Sequence, residues 1–224
     1  MSVLVKICGL KTPEALDVAL EAGADMVGFV FFPPSPRHVG LAAAAELGRR
    51  VGDRARKVAL IVDADDVLLK SITDALRPDL LQLHGAETPA RVQAIKARFG
   101  LPVMKAIAVE ARADLAAVKL YDTVADRLLF DARAPREATR PGGLGKPFDW
   151  HLLEELDLAV SYMLSGGLDP DNVAAALRIT SAPGVDVSSG VERAPGEKDH
   201  DKIRAFIRAA RRVQMPASNI MSRV

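Results

Sequence analysis

Residues 3–9 read V-L-V-K-I-C-G, a short apolar run that stops at a cysteine on a glycine turn. Val, Leu and Ile in such a run favour a strand, and Gly9 ends it. A helical pattern follows over 13–22, with Thr12 placed to cap it and Pro13 at its first position. A second apolar strand then spans 25–32. This strand–helix unit recurs to the end of the chain. Further strands are predicted over 57–62, 79–84, 102–107, 127–131, 159–164 and 184–187. Helices are predicted over 41–51, 65–76, 89–99, 114–121, 148–156, 170–179 and 198–213. Thr88-Pro89 and Asp169-Pro170 repeat the start signal, and Gly23 and Gly100 stand just past helix ends.

Eight such units in series predict an α/β fold, a single-domain (β/α)8 barrel over residues 1–214. Residues 215–224 form a tail expected to fray. A doubly wound open sheet is the alternative, but it normally places its Gly-rich turn after the first strand. Here the Gly-rich turns come late. The longest predicted loop, 132–147, follows the sixth strand. It carries G-G-L-G and is expected to fold over the barrel mouth.

Composition narrows the function. The chain has 224 residues, is 49% hydrophobic and only 4% aromatic, so its core must be built of Ala, Val, Leu and Ile. A net charge of +1 gives no footprint for nucleic acid or an anionic membrane. One cysteine rules out an internal disulfide and fits a reducing cytosol. The N-terminus is interrupted too early for a signal peptide, and no apolar run suits a membrane helix. A cytoplasmic protein is expected.

In a barrel of this kind the active site sits where the strands end. Cys8 ends the first strand, Arg37 follows the second, Gln82 and His84 close the fourth, and Asp131 ends the sixth. The turns Ser165-Gly166-Gly167 and Ser188-Ser189-Gly190 follow the seventh and eighth. Small residues let backbone N–H groups approach an anion, and loops after strands seven and eight often hold phosphate. Lys6 shares a face with Cys8, two residues on. If that face is the interior, the ammonium should favour a thiolate below the ordinary value, and Asp186 is the expected partner of Lys6. Asp131 follows Leu128, Leu129 and Phe130. Desolvation there would suit a general acid, although a helix cap or an ion pair with Arg133 or Arg136 explains it equally well. Arg37 sits in a proline-stiffened turn, where a held guanidinium suits a carboxylate. Gln82 and His84 share one strand face, which favours a lined site; His84 serves equally as a structural residue.

The sequence resembles the phosphoribosylanthranilate isomerase family along nearly its whole length. The resemblance rests on K-I-C-G at 6–9, G-F-V-F at 28–31, S-P-R at 35–37 and L-Q-L-H-G at 81–85. It continues through D-A-R at 131–133, G-G-L-G-K-P-F-D-W at 142–150, L-S-G-G-L at 164–168 and D-V-S-S-G-V-E at 186–192. Leu144 departs from it, since the family more often has threonine there. The resemblance implies a barrel with no cofactor and no metal, monomeric or homodimeric, in tryptophan biosynthesis. It implies an Amadori rearrangement of a phosphorylated aminosugar, with Asp131 as acid and Cys8 as base. Arg37 would grip the anthranilate carboxylate. Gly166, Gly167, Ser188, Ser189 and Gly190 would hold phosphate, and Gly143 would cover the sugar. A related histidine-pathway isomerase is expected to carry aspartate at the position of Cys8. A phosphate-binding protein without activity remains a rival, because fold alone does not specify chemistry.

Overall fold

The computed structural model describes residues 2–134, 142, 147–154, 156 and 158–213. Eight parallel strands close into a barrel in sequence order. They are β1 (Leu4–Cys8), β2 (Met26–Phe31), β3 (Arg56–Ile61), β4 (Leu80–Leu83), β5 (Val103–Val109), β6 (Arg127–Ala132), β7 (Tyr162–Leu164) and β8 (Gly184–Val187). The outer layer holds α1 (Pro13–Glu21), α2 (Leu41–Val51), α3 (Asp66–Leu76), α4 (Pro89–Phe99), α5 (Val118–Tyr121), α6 (Val173–Thr180) and α7 (His200–Arg211). The predicted tail falls outside the described residues.

Strand alternation sorts the apolar side chains into two cores. Val5, Ile7, Val27, Phe29, Leu81, Leu83, Leu128 and Phe130 point outward and pack with the helices. Met26, Val58, Leu80, Met104, Leu129 and Met163 form a separate buried cluster, with Leu4 and Ala106 against it. These have the opposite parity and plug the lower half of the barrel interior. Two or four residues later on the same inward face come Lys6, Cys8, Gln82, Asp131 and Asp186, all buried. The barrel is therefore apolar below and polar above.

The expected helices at 13–22, 41–51, 65–76 and 89–99 lie within a residue of those observed. Thr12, Asp65 and Thr88 each accept a backbone N–H at the helix start, as their positions suggest. The later predictions need more correction. The strand expected at 159–164 spans only Tyr162–Leu164. The helix expected at 170–179 begins at Val173, after a turn in which Asp169 Oδ1 accepts the Asp171 and Asn172 N–H groups. The helix expected at 114–121 is a 3-10 turn, Arg112–Ala117, leading into α5, because Asp114 takes the N–H groups of Glu110 and Ala111 and tightens the start. The helix expected at 148–156 is one 3-10 turn, Trp150–Leu153, capped by Asp149. The last helix starts at His200 rather than 198. Residues before it form a two-stranded antiparallel ribbon, β9 (Glu192–Ala194) and β10 (Glu197–Lys198), turned by Pro195-Gly196.

Between strands and helices one buried ion pair fixes the loop after β4. Lys105 Nζ lies 2.8 Å from Glu87 Oε2 and 2.6 Å from the Gly85 carbonyl. Glu87 Oε1 in turn accepts the Asp63 N–H at 2.9 Å. Lys105→Met strands the buried carboxylate and should cost about 3–5 kcal/mol. Urea unfolding measures this; a loss under about 1 kcal/mol would mean that Glu87 needs no cation.

Candidate active site

The floor of the polar half is an ion pair between neighbouring strands. Lys6 and Asp186 are register partners on β1 and β8, and their Nζ and Oδ1 atoms lie 2.7 Å apart. The second carboxylate oxygen accepts the Ser165 hydroxyl at 3.1 Å. Burial pulls the Lys6 ammonium down, but Asp186 and the neighbouring sulfur outweigh it and hold the group above its usual range.

Cys8 lies one pleat above Lys6 on the same inward face. Gly28 is its register partner on β2. A methyl on Gly28 would lie 2.8 Å from Cys8 Sγ and 3.2 Å from Lys6 Cε, so this glycine makes room for both. The expected depression of the thiol is corrected here. Burial pushes Cys8 above its ordinary value, and Lys6 and Lys198 pull it down without overcoming that desolvation. Lys6 thus limits the cost of a thiolate rather than producing one at rest.

Asp131 sits near the end of β6, with β7 and β8 between it and β1. Its Oδ2 is 3.2 Å from His84 Nε2, and its Oδ1 accepts the Ala132 N–H at 2.9 Å. His84 Nδ1 lies 3.1 Å from Gln82 Nε2. With the amide donating to Nδ1, the ring hydrogen belongs on Nε2 and points at Asp131. The ion-pair alternative with Arg133 fails, because that guanidinium engages Asp114 instead; Arg136 lies outside the described residues. Gly142 packs directly over the His84–Asp131 contact, where any side chain would collide with both. Gly143 lies outside the described residues.

The turns after β7 and β8 form one surface. Gly166 and Gly167 have φ of 83° and 67°, and a methyl on Gly166 would strike the Ala132 backbone. Gly190 lies so close to the Leu168 carbonyl that only glycine fits. Ser189 opens a single 3-10 turn, Ser189–Val191. Two small-residue turns beside the start of a short extra helix are how this fold cradles phosphate. Ser188 ties this surface to the first strand, because its hydroxyl donates to the Cys8 carbonyl at 3.1 Å.

Arg37 is buried, and its Nε and Nη2 lie 2.8 Å from the two oxygens of Glu192. The held guanidinium expected from the proline-rich turn is present, and the carboxylate holding it comes from the chain itself. Glu192 also accepts Lys198 Nζ at 2.9 Å. Glu192 closes the D-V-S-S-G-V-E motif and Lys198 opens the predicted last helix, but the sequence assigns neither a place in the site. The signal available was two opposite charges flanking Pro195-Gly196, a hairpin pattern with a paired register.

A family model described as N-(5'phosphoribosyl)anthranilate (PRA) isomerase matches residues 5–209. A protein of Bradyrhizobium diazoefficiens called N-(5'-phosphoribosyl)anthranilate isomerase is 69% identical over 214 residues, covering 96% of each chain. One of the same name from Nitrobacter winogradskyi is 65% identical over 224 residues, covering 100% of each. The crystal structure of phosphoribosyl anthranilate isomerase from Thermotoga maritima superimposes with a TM-score of 0.84 at 35% identity, covering 93% of this chain and 98% of that one. A second such structure, in complex with reduced 1-(o-carboxyphenylamino)-1-deoxyribulose 5-phosphate, gives 0.79 at 32% identity over the same shares. By the extent of these matches, the chain belongs to the N-(5'-phosphoribosyl)anthranilate isomerase family.

Proposed function

We propose that this chain converts N-(5'-phosphoribosyl)anthranilate to 1-(2-carboxyphenylamino)-1-deoxyribulose 5-phosphate, a step of tryptophan biosynthesis. One observation carries the reading. A thiol over a buried ammonium and a carboxyl held by an imidazole project from separated strands into the same barrel mouth. The names of the relatives and the product-like ligand of one solved structure support the substrate.

The rearrangement needs an acid and a base on different sides of one sugar. Asp131 gives a proton to the furanose oxygen. The C1'–O bond breaks as the anilino nitrogen lone pair forms the iminium, and Asp131 is left as a carboxylate. The C2' proton is now acidified by the adjacent iminium. Cys8 first releases its S–H proton to solvent at the open mouth, Lys6 lowers the cost of the resulting thiolate, and that thiolate takes the C2' proton. The enolamine tautomerises to the ketone, with a proton added at C1'. His84 and Gln82 orient the acid and line the sugar. Gly142, packed over the His84–Asp131 contact, bounds the same space.

The turns at Gly166–Gly167 and Ser188–Gly190 hold the phosphate through backbone N–H groups. Arg37, held in place by Glu192, supplies the guanidinium for the substrate carboxylate. Every residue named comes from one chain, so the same site serves a monomer or a homodimer. The base must stay reduced, which suits the cytoplasm.

Cys8→Ala and Asp131→Asn should each lose about 10²–10⁴-fold or more in kcat, at unchanged circular dichroism. Near-native turnover by either variant would end the assignment. Arg37→Ala should act mainly on KM, since it removes binding present in ground and transition states alike; steady-state kinetics with fresh substrate decides this. The thiol titration has a defined sign. Cys8 already lies above its ordinary value, and Lys6 is the largest influence lowering it. Lys6→Met should therefore move thiolate formation, followed by ultraviolet absorbance, to still higher pH. An unchanged titration would remove Lys6 from the mechanism.

A further inference from the structure

We propose that the ribbon β9–β10 is a positioning strap whose Glu192 and Lys198 lock Arg37 and the Ser188 turn into one rigid assembly. In this role they set the spacing between the carboxylate-binding and phosphate-binding ends of the site, so the proposal rests on the reading of those two ends given above.

The contacts run without interruption from one end to the other. Arg37, in the loop after β2, places Nε and Nη2 2.8 Å from Glu192 Oε1 and Oε2. Glu192 Oε1 also accepts Lys198 Nζ at 2.9 Å, and Oε2 accepts the Gly196 N–H at 3.2 Å. The same Lys198 ammonium donates to the Ser188 carbonyl at 2.8 Å and lies 3.3 Å from its hydroxyl. That hydroxyl donates to the backbone carbonyl of the base, Cys8, at 3.1 Å. The ribbon tip is pressed against the Arg37 loop, since a methyl on Gly196 would collide with the Pro36 carbonyl. Lys11 Nζ bonds that same carbonyl at 3.1 Å.

Two buried cations share one buried carboxylate here. Burial pushes Glu192 up, but Arg37 and Lys198 outweigh it and keep the carboxyl below its usual range. Burial takes Lys198 below its own, with Glu192 opposing. Such a cluster is rigid, because moving any member leaves a charge unpaired in a poorly solvated place. A ribbon needed only to join β8 to α7 has no use for an ammonium donating to the carbonyl of Ser188. A ribbon that fixes the phosphate turn has a direct use for it, since backbone N–H groups must be aimed before the anion arrives.

The test uses the intact enzyme with two fragments of the substrate as competitive inhibitors, inorganic phosphate and anthranilate. Lys198→Met should weaken both by about tenfold or more and raise KM by at least as much, with a smaller change in kcat. Glu192→Gln, a near-isosteric change, should give the same paired loss. Lys198→Arg keeps the charge and the donors, and should restore most of the binding. Lys105→Met provides the comparison, because it breaks an equally buried ion pair whose partners include neither Arg37 nor Ser188, and should lower stability without touching either inhibition constant. Wild-type inhibition constants in Lys198→Met and Glu192→Gln would overturn the strap while leaving the site reading intact. Loss of phosphate binding alone would also overturn it, because the two ends would then be independent. If phosphate fails to compete in the wild type, the phosphate assignment falls, and the strap with it.

Discussion

An ammonium and a carboxylate at 2.7 Å, sealed inside a parallel barrel, are the interaction on which the site depends. Taking two such charges out of water costs several kcal/mol for each ion. The structure offsets this in three ways. Adjacent strands bring Lys6 and Asp186 into register, so no chain is strained to make the contact. Ser165 satisfies the second carboxylate oxygen. Gly28, with no side chain, leaves space where any other residue would displace the pair or the sulfur above it. Below lies the plug of Met26, Val58, Leu80, Met104, Leu129 and Met163, which closes the interior from the opposite end.

The same burial has opposing effects on the chemistry. It makes a negative sulfur harder to form, and Cys8 is raised for that reason first. It also strengthens the field of Lys6 at short range, because less solvent lies between the charges. The proposed base is thus a thiol whose anion is costly but specifically supported. Across the mouth the proposed acid is organised differently. Asp131 is held by donors, His84 on one oxygen and the Ala132 amide on the other, rather than by a full charge. Two titratable groups in one cavity are kept distinct by what surrounds each of them.

Much of this could be read along the chain. The strands ending at Cys8, one residue past Asp131 and at Val187 and the helices started by Thr12 and Thr88 follow from local chemistry. Apolar runs, caps and glycine stops act over a few residues and leave their mark there. The misreadings have local causes too. Asp114 and Asp149 each draw nearby N–H groups into tight turns, and helical patterns of eight or nine residues shrink to 3-10 turns. Lys198 looked like the first residue of a helix. It instead completes a ribbon, because Pro195-Gly196 reverses the chain and Asp199 caps the helix two residues later than expected.

By itself the sequence determined the barrel, the inward face of each strand and the residues at the strand ends, because a period of two and a closed ring leave little freedom. It could not determine what those residues meet. That Arg37 is held by a carboxylate 155 positions away, that Lys198 reaches the Ser188 turn, and that Cys8 is raised rather than lowered were decided only when the strands closed. Partner identity and desolvation are properties of the assembled interior, and no stretch of the chain carries them alone.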